Sequence, residues 1–93
     1  MLDVNEYFDG KVKSISFSGS DLPATLGVMA PGEYTFSTSK REFLTVLDHQ
    51  LKVKLPNESD WSVIESGNTF SVAANESFDL IVENETPYLC KYE

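Results

Sequence analysis

The chain is poor in the side chains that most often carry chemistry. Its 93 residues include one cysteine, one histidine and seven lysines and arginines. A single cysteine cannot close an internal disulfide. The stretch Met1-Leu2-Asp3-Val4-Asn5-Glu6 has neither the basic nor the apolar run of a secretion signal. Together these two absences predict a cytoplasmic protein. No apolar run is long enough to span a bilayer, so no membrane partner is expected. Fifteen acids against seven bases leave a net charge of −8. Such a surface repels phosphate backbones and excludes general nucleic-acid binding. Helical periodicity is missing as well.

What is present is strand-like alternation. Apolar residues at 41% and aromatics at 12% fit one globular domain over residues 1–93. Short β-branched and aromatic runs recur at Lys11–Phe17, Thr25–Met29, Glu33–Ser37, Glu42–Asp48, Gln50–Leu55, Trp61–Ile64, Thr69–Val72, Phe78–Glu83 and Tyr88–Tyr92. Turn signals separate them, including Asp9-Gly10, Pro31-Gly32 and Ser66-Gly67-Asn68. This spacing predicts an all-β, antiparallel domain of about nine strands, a closed barrel or a sandwich. The order of runs predicts hairpins around Asp48-His49 and around Ser66-Gly67-Asn68. Met1–Asp9 reads as a short helical turn or as an arm lying on the barrel. Gly27, inside a strand, marks a bend or a close backbone approach.

The spacing of Glu42 and its neighbours resembles the first cupin motif, glycine, five residues, His-x-His, three or four residues, glutamate, six residues, glycine. Glu42 takes the glutamate seat and His49 the final glycine seat. The histidine seats fall on Thr35 and Ser37, or on Phe36 and Thr38, and neither pair can ligate a transition metal. In the second motif Gly67 is kept, while Ala73, Asn75 and Phe78 stand where proline, glycine and histidine belong. The blocks Asn5-Glu6-Tyr7-Phe8, Gly10-Lys11-Val12-Lys13-Ser14-Ile15, Gly27-Val28-Met29, Gly32-Glu33-Tyr34-Thr35-Phe36-Ser37-Thr38, Asp60-Trp61 and Tyr88-Leu89-Cys90-Lys91-Tyr92 resemble the small pyrimidine/purine nucleoside phosphorylases, one-domain cupins.

The resemblance implies a single-domain cupin-like β-barrel, or jelly roll. It also implies phosphorolysis: diverse nucleosides and inorganic phosphate are converted reversibly to free base and pentose 1-phosphate. No metal or organic cofactor is implied. A non-catalytic cupin that binds a small sugar, nucleoside or anion is the alternative. An acidic interaction protein is a third reading. Small cupins usually pair, and a homodimer would cover exposed strand edges.

Phosphorolysis needs a phosphate site, stabilisation of positive charge on the sugar, and a proton or donor for the leaving base. Lys11 and Lys13 share one strand face and are candidate phosphate ligands, or else solvated edge charges. Lys91 joins them as a third candidate if the terminal strands lie side by side, and Arg41 ranks lower. Among the acids Glu33, Glu42 and Glu65, the first two are the catalytic candidates. Glu42 stands foremost, because its cupin counterpart points into the pocket. Thr35, Ser37 and Thr38 are candidate hydrogen-bond donors to substrate, against ordinary strand filling. Tyr34, Phe36, Phe70, Phe78 and Tyr88 are candidate base platforms, against core packing. Trp61 is read as core or dimer interface, His49 as exposed, and Cys90 as a buried structural thiol.

Overall fold

The computed structural model describes residues 2–93. Ten strands account for the fold: β1 Val4–Tyr7, β2 Val12–Ser18, β3 Pro23–Met29, β4 Gly32–Ser37, β5 Glu42–Val46, β6 Gln50–Lys54, β7 Ser62–Glu65, β8 Thr69–Val72, β9 Ser77–Val82 and β10 Thr86–Tyr92. Every pairing is antiparallel. No helix among the described residues is long and apolar enough to cross a membrane.

Nine of these strands follow the alternation in the sequence. The tenth, β1, takes the second of the two readings of the N-terminal segment, the arm and not the helical turn. It is an arm that pairs along β2, with Val4 opposite Ile15 and Tyr7 opposite Val12. Extended backbone is favoured there because the strand's own Asn5 reaches inward, its Nδ2 donating to Ser16 Oγ at 2.9 Å and to Ser14 Oγ at 3.3 Å.

The strands form two sheets, in the orders β1-β2-β3-β10-β5-β8 and β4-β9-β6-β7. Each sheet keeps two edge strands, so of the two expected forms, closed barrel or sandwich, the fold is the sandwich, a cupin-like jelly roll left open at its edges. From β3 to β6, and again from β7 to β10, successive strands alternate between the sheets. The two expected hairpins are therefore absent. β5 pairs with β10 and β8 rather than with β6, and β7 pairs with β6 rather than with β8. The turns at His49 and Gly67 are real, with φ of 57° and 88°, but they carry the chain across the core. His49 fills a left-handed seat that favours glycine, and its side chain is exposed.

Between the sheets one apolar cluster joins Val12, Met29, Leu44 and Val46 of the larger sheet to Leu51, Val53, Phe78, Leu80 and Val82 of the smaller. Full burial of each such side chain stabilises the fold by about 1.5–3 kcal/mol. The alternate positions of the smaller sheet face water and carry its ion pairs, Lys52 with Glu83 and Lys54 with Asp79.

Candidate active site

The core does not fill the whole space between the sheets. A cavity of about 130 Å³ remains, walled by Ser14, Glu42, Leu44, Tyr88, Cys90 and Tyr92 of the larger sheet. Phe36 and Phe78 of the smaller sheet face them, Ser37 borders the space at the exposed end of β4 with its Oγ hydrogen-bonded to Ser77 Oγ at 3.2 Å, and Tyr7 stands on the β1 arm. The lining is unusual for a sheet interior, because hydroxyls and one carboxyl occupy positions where apolar residues normally pack.

Local sequence explains how these groups are held. On β10 the alternation Tyr88-Leu89-Cys90-Lys91-Tyr92 turns both tyrosines and the thiol inward. Tyr88 lies opposite Gly27 of β3, whose missing side chain makes room for the ring. A Cβ at Gly27 would stand 2.7 Å from the Tyr88 hydroxyl and 2.7 Å from the Lys13 carbonyl oxygen. The close approach expected at Gly27 is thus a tyrosine crossing the strand. Tyr92 OH and Thr25 Oγ1 are hydrogen-bonded at 3.0 Å. Phe36 and Phe78 stack at 5.7 Å and 20°, and Phe70 meets Phe78 edge-on at 5.8 Å. Phe8, at φ 54° in the β1–β2 turn, packs on Tyr34 at 4.9 Å and Phe36 at 5.3 Å. That contact ties the arm bearing Tyr7 to the smaller sheet.

Glu42 is the only carboxyl in the lining. Its Oε1 accepts a hydrogen bond from Cys90 Sγ at 3.5 Å. Burial lifts the carboxyl above the ordinary glutamate range, and the Cys90 hydrogen bond partly opposes the shift. Burial, reinforced by the nearby Glu42 charge, pushes the Cys90 thiol up to about 12. Tyr88 is likewise pushed up to about 12, chiefly by burial, and Tyr92 is raised for the same reason. These three groups therefore keep their protons at neutral pH and act as hydrogen-bond donors, leaving Glu42 as the one carboxyl acid or base among them. No three of His, Cys, Asp and Glu come together as a metal-binding cluster among the described residues.

Five of the sequence candidates line this cavity, Glu42, Ser37, Phe36, Phe78 and Tyr88, and Phe70 packs behind Phe78. The others lie elsewhere. Glu33 and Thr35 point to the outer face of the smaller sheet, where Thr35 Oγ1 donates to Asp79 Oδ1 at 2.7 Å. Thr38 is buried beneath the Ala73–Glu76 bend, donating to the Ala73 carbonyl at 2.6 Å and accepting from the Glu76 amide at 3.0 Å. Tyr34 is core, its hydroxyl donating to the Ala30 carbonyl at 2.6 Å. Lys11 is exposed in the turn before β2, and Lys13 points outward to pair with Glu6 at 3.2 Å. Lys91 pairs with Asp21 at 3.0 Å on the same outer side. The three lysines do not converge, because β10 pairs with β3 and not with β2. Lys13 aligns with Val28 and Lys91 with Ala24, four residues apart along β3. Arg41 turns away too, toward Ser71 Oγ at 3.0 Å. Trp61 is exposed at the end of the smaller sheet, where Lys54 Nζ lies 5.4 Å from its ring centre.

Tyr7, Ser14, Cys90 and Tyr92 line the cavity without having been site candidates. The available signal was period-two polarity. Ser14 and Ser16 share a face of β2, and Tyr88, Cys90 and Tyr92 share one of β10.

The sequence profile described as pyrimidine/purine nucleoside phosphorylase matches residues 2–92. A protein of that name from Teredinibacter turnerae is 61% identical over 93 residues, covering 100% of this chain and 99% of the relative. A crystal structure of a Vibrio parahaemolyticus protein of unknown function superposes with a TM-score of 0.95 at 44% identity, covering 100% of this chain and 99% of that one. An RmlC-like cupin from Shewanella frigidimarina, at 13% identity, has a TM-score of 0.76 over 99% of this chain and 83% of its own, a likeness of fold alone.

Proposed function

The chain belongs to the pyrimidine/purine nucleoside phosphorylase family, and from that premise we propose that it splits nucleosides with inorganic phosphate, reversibly and without a metal, in the cavity between its sheets. The observation that carries this reading is Glu42, a carboxyl held in a hydroxyl-lined cavity beside the Phe36–Phe78 stack.

The cavity is smaller than the ~300–1,000 Å³ usual for a drug-sized ligand. It suits the pentose, with the base projecting past the Phe36–Phe78 edge toward Tyr7 at the mouth. Aromatic faces accept any base, which fits a broad range of nucleosides. The hydroxyls of Ser14, Tyr88 and Tyr92 bind the ribose and the attacking phosphate. Phosphate itself balances the positive charge that develops on the sugar. Protonated Glu42 gives its proton to the leaving base, and burial favours that protonated form.

The chain works as a homodimer in the cytoplasm. The outer face of the larger sheet supports pairing: Val4, Ile15, Phe17, Leu26, Val28 and Leu47 are all exposed there. An apolar face of this kind suits a self-complementary contact.

The test is to incubate chelator-treated protein with uridine or adenosine, with and without phosphate, and to follow free base by chromatography. Base release that requires phosphate and persists after chelation is the expected result. Thermal stabilisation by nucleoside without base release would instead favour a non-catalytic binder. Activity lost to the chelator and restored by zinc, iron or manganese would overturn the metal-free mechanism.

A further inference from the structure

Phosphate is a dianion near neutral pH, yet none of the seven basic side chains lines the cavity, nor does His49. Five of the seven sit outside it in ion pairs, Lys13 with Glu6, Arg41 with Glu93, Lys52 with Glu83, Lys54 with Asp79 and Lys91 with Asp21. The cavity's one carboxyl is Glu42. An anion seated beside an ionised carboxylate at low local dielectric is repelled, and no cation there offsets the repulsion.

We propose that the cavity takes up its anionic substrate together with one proton, carried by Glu42, so that phosphate binding loads the acid that the leaving base then consumes. This rests on the reading of the cavity as the phosphorylase site. The groups that face Glu42 permit it. From β10, Cys90, Tyr88 and Tyr92 present neutral donors, and from β1 Tyr7 presents a phenol. The linings from β2, β3, β4 and β9 bring no ionisable group, and Val72 of β8 lies opposite Glu42. Arg41, next in the chain, turns to Ser71 and Glu93 on the far face.

The proton balance closes over one turnover. An oxygen of HPO₄²⁻ bonds to C1′ as the C1′–N bond breaks, and the base leaves with the electron pair. The base takes the Glu42 proton and departs neutral. The pentose 1-phosphate, formed as its singly protonated anion, returns a proton to Glu42. The products are neutral base and pentose 1-phosphate dianion.

Sulfate tests the inference, because unlike phosphate it does not titrate near neutral pH. Calorimetric titration of the intact protein in buffers of different ionisation enthalpy counts the protons exchanged. Close to one proton should be taken up per sulfate. Affinity should fall ~tenfold per pH unit between the Glu42 pKa of the free protein and that of the complex. Glu42→Gln should bind sulfate with no proton uptake and a flat pH dependence. Sulfate bound without proton uptake, an unchanged slope in Glu42→Gln, or no sulfate binding would each overturn the inference. The buffer series on the unaltered chain decides between these outcomes even if the variant misfolds. Phosphate-dependent base release, assayed in parallel, separates the two proposals. Base release without proton-linked anion binding removes only this one, and proton-linked binding without base release supports uptake of the anion with its proton while removing the phosphorylase reading and the proton's transfer to a leaving base.

Discussion

The two faces of the larger sheet are made by the same strands and differ in character. Facing inward, these strands present Ser14, Thr25, Glu42, Tyr88, Cys90 and Tyr92 beside the apolar Val12, Met29, Leu44 and Val46. Facing outward, they present Ile15, Phe17, Leu26, Val28 and Leu89. An antiparallel sheet with one solvated face ordinarily hides the apolar set and exposes the polar one. The smaller sheet obeys that rule, with Phe78, Leu80 and Val82 inside and Thr35, Asp79 and Lys54 outside. The larger sheet departs from the rule only in part: hydroxyls and a carboxyl share its inner face with core residues, and an apolar set stands on its outer face, which is the arrangement the proposed ligand and the proposed dimer would each use.

Replacing the inner carboxyl should have the greatest effect. Glu42→Gln keeps the shape and removes the titrating proton. It should lower kcat for base release by roughly 10²–10⁴-fold, the range of a general acid. Nucleosides whose base is a good leaving group without protonation should lose much less, and equal losses across all nucleosides would count against the acid role. On the outer face the corresponding change is Val28→Asp, near the middle of the apolar set. In an isologous contact one substitution places a buried charge on both partners, and juxtaposed like charges cost several kcal/mol. Sedimentation should show a monomer where the unaltered chain is a dimer. If both run as monomers, the outer face serves something else.

Gly27→Ala acts on the inner face. The added methyl meets the Tyr88 ring and the Lys13 carbonyl, both on well-packed neighbours. Overpacking of this kind costs about 1–3 kcal/mol. Denaturant unfolding should show that loss, and activity should fall as Tyr88 is pushed into the cavity. A companion Tyr88→Phe change, which keeps the ring and removes only the hydroxyl, separates displacement of the ring from loss of its donor.

The strands were legible in the sequence because alternation is a local signal, and nine of them stand where it put them. Their partners were not. A Gly-Asn turn such as Gly67-Asn68 looks the same whether it joins paired neighbours or carries the chain to the opposite sheet. Only long-range register, β5 on β10 and β6 on β9, distinguishes the two. Glu42 was found through a motif spacing that survives without its histidines. Ser14 and Tyr92 were missed because polar residues share the inner face of this sheet with Val12, Met29, Leu44 and Val46. The same mixture misplaced the lysines: Lys13 shares a face with Ile15 and Phe17, and that face is the outside.

The smallest expected effect is also the most direct test of that placement. Lys13→Ala and Lys91→Ala each remove one member of an exposed ion pair, with Glu6 and with Asp21. Surface pairs contribute little to stability, so thermal unfolding should barely move. The Asp21 carboxyl, held below its usual range mainly by the hydrogen bond from Lys91, should return toward the ordinary aspartate value in Lys91→Ala. An NMR titration reads that change whether or not the protein turns over. The KM for phosphate should stay where it was in both variants, because neither side chain reaches the cavity. A rise in that KM without a matching rise for the nucleoside would mean that the anion approaches from the outer face. The polar interior would then hold only the sugar.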